Sequence, residues 1–345
     1  MKALTYNGPF DVRYESVPDA VCPGERGALV RVRAAGICGS DLHIYEGHGF
    51  SPTLGYCVGH EAIGEVIEVG SAVERFRVGD GVLLPASVGC GRCDSCRMGV
   101  VVGCTNPGEG GCYGLGHALG GCQAEAVAVP AADMNLVAIP GGMSDDTALM
   151  LTDNLPTARY GARMARVAPG DVVAVVGLGP VGQMAVASAF VMGASRVLAV
   201  DLLEDRRKRA VALGAEGVGG NALEEVFVLT AGRGADAVIE AVGADATINL
   251  AAALAGRSGR VSVVGVNQNP EFTFDMRFAQ LKCLEFTIGL CSIQRELPAL
   301  LALVGSGRLD PGAVVTHRVP LSEGPDAYAM FHSRDDDVCK VVLET

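Results

Sequence analysis

The stretch DVVAVVGLGPVGQMAVASAFVMGA (171–194) limits the fold more than any other part of the chain. Its apolar run reads as a short strand buried on both faces, since no polar residue alternates with the apolar ones. A glycine turn follows, and then a stretch of helical period. The pattern repeats. RVLAVD (196–201) reads as the next strand and EDRRKRAVALGA (204–215) as an amphipathic helix. ADAVIEAVG (235–243) and GRVSVVGV (259–266) read as further buried strands with helical segments between them. Strand and helix in alternation predict an α/β architecture with a parallel sheet.

The glycine turn carries chemistry. Gly177, Gly179 and Gly182, with Leu178, Pro180 and Val181 between them, form G-x-G-x-x-G between a strand and a helix. That context is the one the dinucleotide motif requires. The first glycine makes the tight turn, the second lets a pyrophosphate approach the backbone, and the third lets helix and strand pack closely. The helix N-terminus then offers free N–H groups to the anion. Asp201, at the end of the next strand, is placed to accept hydrogen bonds from ribose hydroxyls and to repel the extra phosphate of NADP. NAD is therefore the expected cofactor. The cationic run Arg206–Arg209 can offset part of that repulsion, although most of it reads as a solvated helix face.

The first ~155 residues have a different texture. ALVRVRAAG (28–36), EAIGEVIEVG (61–70) and EAVAVP (125–130) read as short strands between turns. Within this half, GCGRCDSCRMGVVVGC (89–104) spaces Cys90, Cys93, Cys96 and Cys104 as C-x2-C-x2-C-x7-C. The N-terminus shows no secretory pattern, so twelve cysteines point to a reducing, cytoplasmic compartment, where such clusters are more often metal ligands than disulfides. Four thiolates fill the tetrahedral shell of zinc and leave no open position, so this lobe is expected to hold structure. The plainer alternative is four unlinked buried thiols. A net charge of −12 argues against a nucleic-acid partner, and no apolar run is long enough to span a membrane.

A second zinc-competent set lies upstream. GICGSDLH (36–43) offers Cys38, Asp41 and His43, and GHEAIGEV (59–66) offers His60 and Glu61. A catalytic zinc needs about three protein ligands and one open position. Singly, Cys38 and His60 each fit a packed thiol or a core histidine. Together, beside a nucleotide motif, they suggest a metal centre.

These segments, with VGDGV (78–82), the four-cysteine lobe, GLGPVGQ (177–183) and RVLAVD, resemble the zinc-dependent medium-chain alcohol dehydrogenases over essentially the whole chain. The resemblance implies a GroES-like, β-rich catalytic domain (1–156) carrying the structural-zinc lobe (about 88–106). It implies a Rossmann doubly wound parallel-sheet domain (157–293) and a return segment (294–345) that completes the catalytic domain, with the active site in the cleft between the two domains. It further implies two zinc ions per chain, NAD, and a homodimer or homotetramer, with LEFTIGL (284–290) the place to seek the contact.

Residue by residue, Cys38 and His60 match catalytic zinc ligands, and Glu61 matches a glutamate close to the metal. LMLTDNLPTARYGA (149–162) contains no cysteine and resembles the branch in which an aspartate ligates, including secondary-alcohol and formaldehyde dehydrogenases. This assigns Asp153, whose other reading is a helix N-cap. Ser40 and His43 match a proton relay to solvent, and Asp41 a carboxylate that orients the zinc-bound histidine. Thr157, Val242, Val264 and Val266 match positions lining the nicotinamide. Lys340 matches a basic position that contacts cofactor phosphate. The implied reaction is reversible oxidation of an alcohol to an aldehyde or ketone, with hydride transfer to the nicotinamide. Polyol, threonine-type and formaldehyde substrates are the alternatives within the family. A zinc-free quinone or enone reductase and a non-catalytic NAD-binding protein are the alternatives outside that reading. The other cysteines (22, 57, 112, 122, 283, 291, 339) read as ordinary thiols. Of the unassigned histidines, only His117, in GLGHALGGC (114–122), is in reach of a substrate site.

Overall fold

The computed structural model describes residues 1–106, 108, 110–333 and 338–345. The chain divides into two compact units. The first comprises Met1–Asp153, Ser292–Val304 and Asp310–Thr345, and the second Asn154–Cys291 and Gly305–Leu309. The cuts follow Asp153 and Cys291 rather than residues 156 and 293. Pro156 suggests a break in the sequence, but it lies in the first turn of the helix Asn154–Met164, where a missing N–H costs nothing.

The first unit is built on a mixed sheet. Its path runs Val137–Ala138, Gly81–Leu84, Glu61–Val69, Ala28–Ile37, Lys340–Glu344 and Val315–Pro320, and Ala126–Val129 also pairs with Ala28–Ile37. In Ala28–Ile37, Ala28, Val30 and Val32 are buried while Arg31 and Arg33 face solvent, the period-2 alternation of a strand with one wet face. Residues 34–37 are then buried throughout. Two registers matter for the site: Gly36 pairs with Glu61, and Ile37 with Val341. A three-stranded sheet (Val12–Ser16, Lys2–Tyr6, Tyr56–Cys57) and the short pair Ser87–Val88 with Gly111–Cys112 complete the β-structure of this unit. The core includes Leu4, Val30, Ile44, Tyr56, Leu84, Tyr328 and Val341. The return segment contains a 13-residue helix, Ile293–Gly305, with Pro298 inside it.

The second unit is a six-stranded sheet, all of whose pairings are parallel. The strand order is Glu216–Val218, Arg196–Val200, Val172–Val176, Ala235–Glu240, Ala255–Val263 and Glu285–Ile288. Val172–Val176, the first strand in sequence, is central, and the chain winds outward from it in both directions. The carboxyl end of that strand is therefore a topological switch point, where open α/β sheets bind ligands. Among the described residues no helix is long and apolar enough to cross a membrane.

Candidate functional site

The four cysteines of the lobe converge as their spacing predicts. One sulfur from each of Cys90, Cys93, Cys96 and Cys104 lies within 4.8 Å of every other. Cys93 caps the short helix Asp94–Arg97, and Gly91, at φ +70°, makes the turn between the first two ligands. Backbone N–H groups of Arg92 and Cys93 donate to Cys90 Sγ at 3.4 and 3.3 Å, and the N–H of Cys90 donates to Cys104 Sγ at 3.4 Å. Asn135 holds the lobe from below, accepting from the Gly89 N–H at 2.9 Å and donating to the Gly89 carbonyl at 2.8 Å. Backbone N–H groups of Thr105 and Cys96 push the Cys93 thiol down to about 6. Burial, followed by the neighbouring sulfurs, pushes Cys96 up to about 12. The four thus share negative charge unequally: the first proton leaves readily and the later ones are held. A divalent cation removes that penalty, so the donor set fits a closed zinc site.

The second set is assembled from separate elements. Cys38 ends the strand Ala28–Ile37 and caps the helix Gly39–Tyr45. His60 and Glu61 stand at the start of the strand Glu61–Val69, and Asp153 immediately precedes the helix Asn154–Met164. One ligand atom from each of Cys38, His60, Glu61 and Asp153 lies within 4.8 Å of the others. Cys38 Sγ and His60 Nε2 each lie 3.6 Å from Asp153 Oδ2. The other ring nitrogen, His60 Nδ1, faces Asp41 Oδ1 at 3.2 Å, and Asp41 Oδ2 accepts the Cys38 N–H at 2.9 Å. Asp41 thus fixes the imidazole so that Nε2 points at the other donors. Gln123 extends this support. It donates to Asp41 Oδ2 at 3.4 Å and accepts from the Tyr328 hydroxyl at 2.9 Å.

Electrostatics in this set also call for a cation. Burial, and then the Glu61 carboxylate, push the Cys38 thiol up. Burial would lower His60, but the charges of Asp41 and Cys112 and the hydrogen-bonding carboxylates of Asp153 and Asp41 together outweigh it and hold the imidazole well above its ordinary range. A crowd of buried acids around one thiol and one imidazole is what a divalent metal relieves, and the sulfur, nitrogen and oxygen donors suit zinc. Ser40 Oγ lies 3.3 Å from His60 Nε2, and His43 is half-buried three residues further along the same short helix. His117 is exposed, bonded to the Leu54 carbonyl at 3.2 Å and edge-on to Tyr56.

In the second unit the glycine turn has the form its sequence predicts. Gly177 has φ +87°, and a Cβ there would strike Val242. A Cβ on Gly182 would run into the Gly177 carbonyl. Gly179 caps the helix Pro180–Val191, with Pro180 in its first turn. The Asp201 carboxylate accepts the Leu178 N–H at 2.7 Å and the Leu203 N–H at 2.9 Å, which fixes it beside the turn with lone pairs to spare. Arg206 Nη1 lies 4.0 Å from Asp201 Oδ2 and reaches over Gly179. Arg207 is tied to the carbonyls of Asp201 and Leu202, and Lys208 pairs with Glu204 and Asp205 on the surface. Val242 and Val266 border the same turn region through Gly177 and Gly243, Val264 packs against Gly161, and Thr157 lies half-buried near the start of Asn154–Met164.

Lys340, matched in the sequence to a basic position at the cofactor phosphate, has partners of its own in the first unit. Lys340 does not present its ammonium to a phosphate: the side chain is wholly enclosed, with Nζ 2.5 Å from Glu61 Oε2 and 3.0 Å from the Ile37 carbonyl. Burial would lower Lys340, but Glu61, by charge and hydrogen bond, together with the charges of Cys38 and Asp153 more than offsets it and keeps the ammonium charged. Three other residues escaped the sequence reading. Cys112 lies near enough to His60, Asp153, Asp41 and Cys38 to feel their charges, and burial pushes it up to about 12. Gln123 is invisible locally because its partners lie far away in sequence. Glu240 follows the apolar run 237–239 at the end of the strand Ala235–Glu240 and is fully buried, a signal that could have been read. It accepts the N–H groups of Val242 and Gly243 at 2.9 Å and so pins the loop that borders Gly177.

Comparison with known proteins agrees with this geometry. Residues 24–141 match the model of the alcohol dehydrogenase GroES-like domain, and 180–306 that of the zinc-binding dehydrogenases. A probable zinc-binding alcohol dehydrogenase of Mycobacterium tuberculosis is 40% identical over 343 residues, covering 99% of this chain and 88% of its own length. The solved alcohol dehydrogenase of Thermus sp. ATN1 superimposes with a TM-score of 0.92 at 39% identity, covering 100% of this chain and 99% of its own. Two more distant solved structures hold a dinucleotide. One is an Escherichia coli CFT073 enzyme described as a short chain alcohol dehydrogenase, with NADH (27% identity, TM-score 0.88, covering 100% and 99%). The other is a zinc-binding dehydrogenase of Sinorhizobium meliloti 1021, with NADP (26%, TM-score 0.84, covering 100% and 99%). With a GroES-like unit, a Rossmann unit and both donor sets in place, the chain belongs to the zinc-dependent alcohol dehydrogenases of the medium-chain dehydrogenase/reductase family, enzymes of reversible alcohol oxidation.

Proposed function

We propose that this enzyme oxidises a small alcohol to an aldehyde or ketone, reversibly and with NAD, using one catalytic and one structural zinc per chain. The observation that carries the reading is the convergence of Cys38, His60 and Asp153 with Glu61 within 4.8 Å, separate from the four-cysteine set. Cys38, His60 and Asp153 hold the catalytic ion, and the carboxylate among them supports the aspartate-ligand branch. Cys90, Cys93, Cys96 and Cys104 hold the structural one.

When bound, the catalytic zinc supplies Lewis acidity to the substrate oxygen and the nicotinamide accepts the hydride. The chain's own residues do the rest. Asp41, with Oδ1 3.2 Å from His60 Nδ1, holds the imidazole by charge and keeps Nε2 free to ligate. Ser40 both accepts and donates, so its hydroxyl takes the substrate proton and passes it outward, and half-buried His43 delivers it to solvent. Gly177, Gly179 and Gly182 seat the pyrophosphate. Asp201 accepts from the ribose and disfavours a 2′-phosphate, which supports NAD despite Arg206 4.0 Å away. The edge strand Glu285–Ile288 leaves Ile288 and Leu290 exposed, which supports pairing of copies there into a dimer or tetramer. Twelve free thiols support a cytoplasmic setting.

The test is zinc per chain, by elemental analysis, on wild type and Asp153→Ala, with NAD-linked alcohol oxidation measured on the same samples. About two ions falling to about one, with activity lost, is the expected result. Unchanged zinc and activity would remove Asp153 from the site.

A further inference from the structure

Glu61 stands in the candidate metal set yet already has a cation. Lys340 Nζ lies 2.5 Å from its Oε2, and both side chains are fully buried. The arrangement is built by three adjacent strands. Glu61 pairs in register with Gly36, and Ile37, the residue after Gly36, pairs with Val341, the residue after Lys340. The Ile37 carbonyl accepts a hydrogen bond from Lys340 Nζ at 3.0 Å. Gly36 makes the space: a Cβ there would collide with Glu61 Oε2 and sit 3.1 Å from Lys340 Cε.

The same glutamate has a carboxylate oxygen within 4.8 Å of the donor atoms of Cys38, His60 and Asp153, so it is close enough to become a ligand. A thiolate and one carboxylate already balance a divalent ion. A second carboxylate would fill the position that a catalytic zinc keeps for substrate. We propose that Lys340 is a positioning residue that holds Glu61 out of the catalytic metal's shell and so keeps the substrate position open. This rests on the metal site assigned above. A buried ammonium does this better than a neutral donor, because leaving it for the metal would strand an unpaired charge in the core.

The experiment uses the full-length enzyme with cobalt(II) at the catalytic site, reading its d–d absorption and the rate of metal release to a chelator. Lys340→Met should change the bands as an oxygen ligand joins, slow release about ten-fold or more, and lower kcat. Lys340→Arg should restore the wild-type spectrum. Lys340→Met combined with Glu61→Gln should also restore it, because the freed carboxylate is gone. Lys340→Gln, which keeps a donor for the Ile37 carbonyl but no charge, carries the same expectation as Lys340→Met should the latter not fold. Wild-type bands and release in the uncharged variants, or a change that persists with Glu61→Gln, would overturn the proposal. Cobalt bands that survive Cys38→Ser would remove the metal site itself, and the role of Lys340 with it.

Discussion

The first unit carries two metal-competent clusters, and they are supported in opposite ways. In the lobe, all four sulfurs come from one short loop and their charge is stabilised by backbone N–H groups of Arg92, Cys93, Thr105 and Cys96. In the other cluster the donors come from strand ends and a helix start, and side chains hold them: Asp41 and Gln123 behind His60, Lys340 beside Glu61. Backbone support is rigid and indifferent to substrate. Side-chain support leaves each donor with its own adjustable partner, as a site that must exchange a ligand during turnover requires. On the proposed assignment, a closed site and an open one thus differ in what backs their ligands as well as in ligand count.

That contrast can be broken most forcefully in the lobe. Cys104→Ser should lower the melting temperature by about 10 °C, the scale of several kcal/mol in a chain this size, while kcat of the folded enzyme stays within about two-fold. Scanning calorimetry beside steady-state kinetics checks it, and a selective loss of kcat would give the lobe a catalytic part. The complementary change is Asp41→Asn. It should weaken zinc at the Cys38 site about 10- to 100-fold and leave lobe zinc in place, as read by chelator competition. Equal loss from both sites would mean that Asp41 serves the fold rather than His60.

The smallest effect concerns pH. Cys93 is lowered from the ordinary thiol range to about 6 by N–H donors of the folded loop. The stability it lends the metal-free lobe is therefore complete above the ordinary thiol pKa and is lost as pH falls through about 6. Alkylation of Cys93 in zinc-stripped protein should titrate with a midpoint near 6. A midpoint in the ordinary thiol range would show that the loop does not keep its shape without metal.

Legibility in the sequence followed the range of the interactions. Cys90 to Cys104 and Gly177 to Gly182 are local patterns, and the turns that bring them together are written beside them. The parallel sheet was legible for the same reason, since each buried strand has its own apolar run. Cys38 and His60 could be marked as donors, but their approach to Asp153 depends on strand register and on a helix start far along the chain. The enclosure of Lys340 was not legible, because its position in the family pattern says nothing of the Gly36–Glu61 register that surrounds it.

The strand Lys340–Glu344 lies between Ala28–Ile37 and Val315–Pro320, so the sheet of the first unit is completed by residues that follow the whole of the parallel-sheet unit in the chain. During synthesis the parallel-sheet unit, whose final segment ends at Leu309, is fully translated while the other is still missing an interior strand. Until residue 340 emerges, Glu61 has no ammonium to meet and its carboxylate cannot be buried at low cost. Order of birth therefore sets order of competence: the nucleotide fold can form first, and a metal-ready pocket exists only once the chain has returned to its beginning.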